Sequence, residues 1–346
     1  MTPPRVAIDA RHAGASTAWG SAAYVRELVR ALGERADARP EAVPLRGGRG
    51  PDVLWEQVGL PRRLRRERFD AVHAPNGFLP LRRPCPGVVT VHDVAFEVFP
   101  QDFPPRTRAK FRALIPRAIR SAQRVVCVSR FTRDDVCERY GIDPARTRVV
   151  LSAPALPVGD AAPPAGTPYL LAVGALRAKK NLRRLVEAWL ALRASGLEHR
   201  LVLAGPDAGE GAALRAAARG APLELAGQVP DRELDALMRG AALLVHPSLH
   251  EGFGLAPLEA MARGTPVAMA GVTALPEAGG DAAEYFDPLD VEDIAAAIPR
   301  ALGRRDELAR LGRARAAQLS WERTAAATAA VYREAIDAGS GRGAAR

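Results

Sequence analysis

Two glutamates, Glu251 and Glu259, stand with seven residues between them in the stretch His246–Pro266, HPSLHEGFGLAPLEAMARGTP. Gly252 and Gly254 lie between them and allow the backbone to approach a ligand closely. Pro257 marks the first turn of a helix, where a missing N–H costs nothing because those groups are unpaired anyway. The other N–H groups of that turn point back into the loop and make an anion site suited to phosphate. Glu259, in the same turn, faces the same space. A carboxylate accepts two hydrogen bonds at once and a ribose diol offers two. A nucleotide with its phosphates on the helix end and its ribose on Glu259 is therefore a sensible occupant. The plainer alternatives are a helix-dipole residue for Glu259 and a solvated loop charge for Glu251.

A second concentration of chemistry is the pair Lys179–Lys180. The chain has 49 basic residues, and only Lys110, Lys179 and Lys180 are lysines. Two adjacent cations at a strand-to-helix turn, followed by Asn181 as a good N-cap, suit a diphosphate. A third set is His73, Asn76, His92 and Asp93. They follow the strands read at Asp70–His73 and Val88–His92, and the ends of parallel strands are where α/β sheets place ligands. A satisfied structural histidine is the simpler reading of a lone histidine in such a place.

The string Glu251-Gly252-Phe253-Gly254-Leu255, continued by Pro257, Leu258, Glu259, Ala260 and Met261, resembles the EGFGLP-x-LEAMA signature of family-four retaining glycosyltransferases, with Ala256 where a second proline is common. V-G-A-L-R-A-K-K-N resembles the phosphate loop of that family, His92-Asp93 its V-H-D loop, and TALPE with Gly280–Ala283 its loop near the nucleotide base. Gly20, Tyr24, Glu27 and Leu28 match its G-x-G-R-Y-x-x-E-L opening, with Ala22 and Ala23 at positions where glycine and arginine are usual. Ser129, Phe131 and Gly141 match a further segment.

The resemblance implies an α/β protein of GT-B fold: two Rossmann-like domains facing across a cleft, with the C-terminal helix crossing back to the first domain. It implies that Glu259 binds the ribose, that Glu251 is by the donor sugar, and that the amides of Gly252, Phe253, Gly254 and Leu255 hold the distal phosphate. Lys179 and Lys180 are then expected on the diphosphate, and His92 at the donor sugar and the bond being broken. The catalytic set is His92, Glu251 and Lys180. Gly20, His73, Asn76 and Asp93 form the donor or acceptor loops.

The implied reaction is transfer of a sugar from a nucleotide-diphosphate sugar with retention of configuration. GDP-mannose is the donor suggested by the commonest use in the family. The acceptor is expected to be a glycan, a lipid-linked sugar or a small molecule. Such a reaction needs fixed positive partners for the leaving diphosphate and tolerance of an oxocarbenium-like sugar. No Asp-x-Asp occurs in the chain, so an Asp-x-Asp metal clamp is absent and the lysines and helix N-terminus are expected to supply the charge, with no metal and no cofactor. No residue is an evident covalent nucleophile, in keeping with the front-face attack usually assigned to the family. A sugar-nucleotide epimerase of the same fold is the alternative enzyme. A basic membrane-surface or nucleic-acid-binding protein is the alternative of another class. Nucleic acid is disfavoured, because the basic runs lack interleaved aromatics.

The elements that must position these groups follow from the patterning. The chain has 346 residues, enough for about two domains, with a formal net charge of +10 carried almost wholly by arginine. Three unpaired-looking cysteines, Cys85, Cys127 and Cys137, read as reduced thiols, and no apolar run approaches the ~20 residues of a membrane helix. A cytoplasmic protein is expected. The Pro/Ala/Gly-rich stretch Ser152–Pro168 is read as the interdomain linker. This divides the chain into an acceptor-binding domain over 1–155, a linker over 156–168, a nucleotide-sugar domain over 169–320, and a last helix over 321–338. Trp321 and Tyr332 are the residues expected to pack that helix on the first domain. Leu54–Arg68 reads as an amphipathic helix whose arginines, Arg62–Arg68, suit anionic lipid headgroups and place the protein at the inner face of a membrane; a solvated arginine face is the competing reading.

Overall fold

The computed structural model describes residues 3–10, 20–35, 39–43 and 52–343. The small-residue loop expected over His12–Ala22 falls largely outside them. The chain divides into two compact units.

The first unit comprises 1–97, 104–152 and 320–346. Its sheet is parallel throughout and has the order β2-β1-β3-β4-β5-β6. The strands are β1 (Arg5–Asp9), β2 (Arg39–Val43), β3 (Ala71–Ala74), β4 (Gly87–Val91), β5 (Arg124–Cys127) and β6 (Thr147–Val149). β3 and β4 are buried at every position, which is why they read as continuous apolar runs rather than alternating ones. β2 carries no such run and was not legible.

The final helix, Trp321–Gly343, belongs to this first unit, as the sequence led one to expect. Ala325, Ala329 and Ala335 are buried along it with Val331 and Tyr332, so small side chains at helical spacing bring its backbone close to the sheet. Trp321 packs edge-on to Tyr24, with ring centroids 5.7 Å apart. Thr324 Oγ1 donates to the Leu151 carbonyl at 2.8 Å. Glu334 takes Arg124 at 2.9 Å and Arg148 at 2.7 Å.

The helix expected over Leu54–Arg68 is broken by a π-helical turn, Trp55–Gly59, which separates Asp52–Leu54 from Leu60–Glu67. Leu60 and Leu64 are buried, whereas Leu54 and Val58 are exposed. The extra residue in the turn rotates the two halves out of one apolar stripe. Two of its arginines, Arg63 and Arg66, share Glu67.

The second unit comprises 98–103 and 153–319. Its parallel sheet has the order β12-β11-β10-β7-β8-β9. The strands are β7 (Tyr169–Val173), β8 (Arg200–Ala204), β9 (Leu223–Gly227), β10 (Leu243–His246), β11 (Val267–Ala270) and β12 (Glu284–Phe286). From β7 the chain runs outward through β8 to β9, then returns to the other side of β7 as β10. The strand order therefore reverses between β7 and β10.

The stretch expected to be a linker is instead fixed to this unit. Arg263 donates to the carbonyls of Leu156 at 2.8 Å and Pro157 at 3.0 Å, and the Gly159 amide donates to Asp235 at 3.0 Å. A proline-rich composition reports the lack of regular structure; it carries no information about these contacts.

Among the described residues no helix is long and apolar enough to cross a membrane.

Candidate functional site

In an open parallel sheet, ligands bind beyond the carboxyl ends of the strands where the order reverses. In the second unit that point is flanked by the loops after β7 and β10. The first carries Lys179 and Lys180, and the second carries His246, at the end of β10, and Glu251. The structure brings these four side chains together. Lys180 Nζ lies 2.5 Å from Glu251 Oε1, Lys179 Nζ 3.9 Å from Oε2, and His246 Nε2 3.2 Å from Oε1.

The local sequence explains the geometry. Gly174, at φ +143°, ends β7, and a Cβ there would lie 2.8 Å from Lys180 Cε. The positive φ favours glycine there, and its missing side chain leaves room for the end of Lys180 beside the strand. The lysines occupy a short 3-10 turn, Ala178–Lys180. Asn181 follows at φ +55° and makes no side-chain cap, contrary to expectation. Its Nδ2 donates instead to the carbonyls of Pro247 at 3.1 Å and Pro288 at 2.7 Å. The Leu249 amide donates to the Lys179 carbonyl at 2.9 Å. The two loops are thus joined directly by backbone and amide hydrogen bonds.

The charges are strongly coupled. Burial alone would raise the Glu251 carboxyl, but Lys180, Lys179 and His246 together hold it well below its usual range. Burial lowers the Lys180 ammonium, with Glu251 opposing the shift. Burial likewise lowers His246. An ionised carboxylate only accepts, so a neutral His246 must carry its proton on Nε2. The cluster then holds two cations and one anion, a net positive site for a doubly charged phosphate group.

Asp102 is a part of this site that no linear motif announced. It lies in the short segment 98–103, which belongs to the second unit although the chain on either side of it belongs to the first. Its carboxylate accepts the amides of Ala178 and Lys179, each at 3.1 Å, and so caps the lysine turn from 76 residues away in sequence.

Phe253 and Gly254 follow Glu251 closely. Gly254 begins the helix Leu255–Ala262 at φ +117°, and a Cβ there would meet Leu275 Cδ2 at 2.9 Å. The left-handed backbone favours glycine, and the neighbouring side chains leave little room for a Cβ. Gly252 and Phe253 are buried, and Leu255 is half-buried at the helix start. Pro257 lies in the first helical turn, as read from sequence.

Glu259 does not join the lysine cluster. Its Oε1 accepts the amides of Ala155 and Leu156, the latter at 2.8 Å, and its Oε2 takes Arg263 at 3.1 Å. Burial raises its carboxyl despite these partners. Arg263 continues to Asp235 at 2.7 Å. With Oε1 filled, Glu259 has one lone pair left on Oε2, room for one ribose hydroxyl rather than the two expected of it.

In the first unit the strand order reverses between β1 and β3. Asn76, just after β3, has both amide atoms buried without a hydrogen-bond partner, which is a costly arrangement unless a ligand or water completes it. His92 is half-buried. Its Nε2 faces the Pro75 carbonyl at 2.9 Å; because a carbonyl only accepts, Nε2 donates and Nδ1 is left as a bare acceptor. Burial lowers its pKa, with Pro75 and Asp93 opposing. Asp93 accepts the Ala95 amide at 3.0 Å, a local turn contact. Gly20 stands before the helix Ser21–Gly33 at φ +71°.

His73 must be corrected as a loop candidate. It is fully buried within β3, with Nδ1 2.8 Å from the Tyr332 hydroxyl and Nε2 2.7 Å from Thr90 Oγ1. Burial depresses its pKa to about 3. Both nitrogens are used, and the residue ties the sheet to the last helix. Its position at a strand end looked open only because the partner lies 259 residues later.

Residues 167–304 match the family described as glycosyl transferases group 1, and residues 18–152 match that described as glycosyltransferase family 4. The chain is 32% identical to the O-antigen chain mannosyltransferase B of Escherichia coli over 75% of its own length and 73% of that protein's. It belongs to the group 1 glycosyltransferases. Solved structures with the same architecture include sucrose-phosphate synthase from Thermosynechococcus elongatus, at TM-score 0.72 and 22% identity, covering 96% of this chain and 98% of that one. Another is HepE from Anabaena in complex with UDP and glucose, at TM-score 0.69 and 17% identity, covering 95% and 98%. At these identities the likeness concerns the GT-B fold of this group 1 glycosyltransferase, which the two parallel-sheet units express.

Proposed function

We propose that this glycosyltransferase moves mannose from GDP-mannose to a glycan, lipid-linked or small-molecule acceptor, with retention of configuration and without a metal ion. The observation that carries the reading is the part-buried Lys180–Glu251–Lys179 cluster at the reversal point of the second sheet. The leaving diphosphate gains negative charge as the glycosidic bond breaks, and preorganised cations in a water-poor site stabilise that charge strongly. Lys180 and Lys179 are such cations. The ionised Glu251 stands by them and supplies an anion for the oxocarbenium-like sugar. Mannose as the sugar is supported by the printed activity of the E. coli relative, and a nucleoside diphosphate by the ligand of the Anabaena protein. The bare Nδ1 of His92 and the unpartnered amide of Asn76 are groups of the first unit suited to sugar hydroxyls.

The test is a transfer assay with GDP-mannose, UDP-glucose and dTDP-glucose as donors and methyl α-mannoside as acceptor, in excess EDTA, with the product anomer read by NMR. Transfer from GDP-mannose giving an α-mannoside in EDTA is the expected result. A β-product, or activity lost in EDTA and restored by magnesium or manganese, would overturn the retaining or the metal-free part respectively.

A further inference from the structure

We infer that His246 is a positioning residue for Glu251: a donor fixed in the sheet that keeps the carboxylate aimed when the lysines turn to the diphosphate. The inference rests on the reading of Glu251 given above. His246 is the last residue of β10 and is 2% exposed. Its backbone pairs with β11 opposite Met269, so the ring projects from a rigid strand. Pro247 then turns the chain, and Glu251 returns to the ring five residues later, with Nε2 3.2 Å from Oε1. The Glu251 amide is held separately, by Thr273 Oγ1 at 3.3 Å. The loop backbone and the carboxylate therefore have distinct anchors.

The carboxylate has three partners of two kinds. Lys180 and Lys179 are on a loop, and they are the groups suited to phosphate. When a diphosphate takes up their charge, their hold on Glu251 is shared with it. A single neutral N–H from the strand is not in competition, because it adds no charge for the phosphate to attract. Its contribution therefore grows in the loaded enzyme and is largest where the geometry of Glu251 against the sugar decides the rate. This gives a signature that a merely structural histidine lacks: the loss falls on turnover rather than on nucleotide affinity, and it vanishes when Glu251 is already neutral.

The experiment compares His246→Leu, His246→Gln, Glu251→Gln and the double variant His246→Leu/Glu251→Gln in the full chain. GDP affinity is measured by calorimetry and turnover of GDP-mannose with methyl α-mannoside by steady-state kinetics, with circular dichroism as a fold check. His246→Ala removes the same donor should leucine fail to pack. The expected result is GDP affinity within about twofold of the parent, turnover lowered ~10-fold or more by leucine, and most of it restored by glutamine, whose amide reaches the Nε2 position. In the Glu251→Gln background the leucine should cost less than about twofold, the non-additivity of a pair acting as one unit. Equal losses in both backgrounds, or no rescue by glutamine, would overturn the positioning role. Parent-like turnover in Glu251→Gln alone would instead overturn the role of Glu251, and the two failures are thus distinguishable.

Discussion

Glu251→Gln keeps the shape of the side chain and removes its charge, so it tests the cluster directly. In the free protein the substitution leaves Lys180 and Lys179 without the anion at 2.5 Å and 3.9 Å. Two charges 2.5 Å apart attract by roughly 7 kcal/mol at an effective dielectric near 20, and desolvation of both groups offsets much of it. Removing one partner of a buried pair typically costs ~3–5 kcal/mol. A lysine can escape by losing its proton, and at neutral pH that route costs about 4.6 kcal/mol from an ordinary lysine, which bounds the penalty at a similar level. In a unit of this size 1 kcal/mol moves the melting temperature by roughly 2–4 °C. We expect the second unit of the variant to melt some ~6–12 °C lower for a penalty of ~3 kcal/mol. Saturating GDP then provides the missing negative charge, so the nucleotide-induced shift should be larger in the variant than in the parent, while transfer is slowed but still measurable. The assay is differential scanning fluorimetry of both proteins with and without GDP. A variant melting within about 1 °C of the parent and gaining no more from GDP would show that Glu251 does not neutralise these lysines, and the charge reasoning would fail.

If the charge acts chiefly on the leaving diphosphate, as proposed, Lys180→Ala should fold and lower turnover by ~10²–10³, more than it weakens donor binding; steady-state kinetics giving a change within about threefold would demote the residue. Lys180→Arg should restore only part, since a planar fork does not replace a compact ammonium. His73 should make the first unit acid-sensitive. Its folded pKa of about 3 lies below the ordinary 6.5, so the unfolded chain takes the proton first; the contribution is fully present above pH 6.5 and is lost as pH falls toward 3, reaching ~2 kcal/mol at pH 5. Urea unfolding at pH 7.5 and pH 5 should show that loss in the parent and not in His73→Gln, and equal pH dependence of the two would refute it.

The sequence by itself determined the two parallel sheets and most of their strands, because buried parallel strands are short apolar runs that local composition reveals. The strands read at Asp70–His73 and Val88–His92 fell within a residue of β3 and β4. It also singled out the lysine pair and the Glu251 loop, whose rare residue types and glycine spacing are local properties. β2, the π-helical turn at Trp55–Gly59 and the pinned segment before β7 were not legible, since none has a periodic or compositional mark.

Only the tertiary structure decided what each polar group is paired with. His73 and His92 look alike in sequence, each at or just beyond the end of a buried strand. One is closed by Thr90 and a tyrosine from the last helix, and the other keeps a ring nitrogen as an acceptor. Glu251 and Glu259 flank one loop, yet one faces two lysines and the other the backbone amides of Ala155 and Leu156. Asp102 caps the lysine turn with no neighbour in sequence to suggest it. A residue's type limits the hydrogen bonds and charges it can offer. Which partner accepts them depends on contacts between segments as much as 259 residues apart, and no local pattern encodes those.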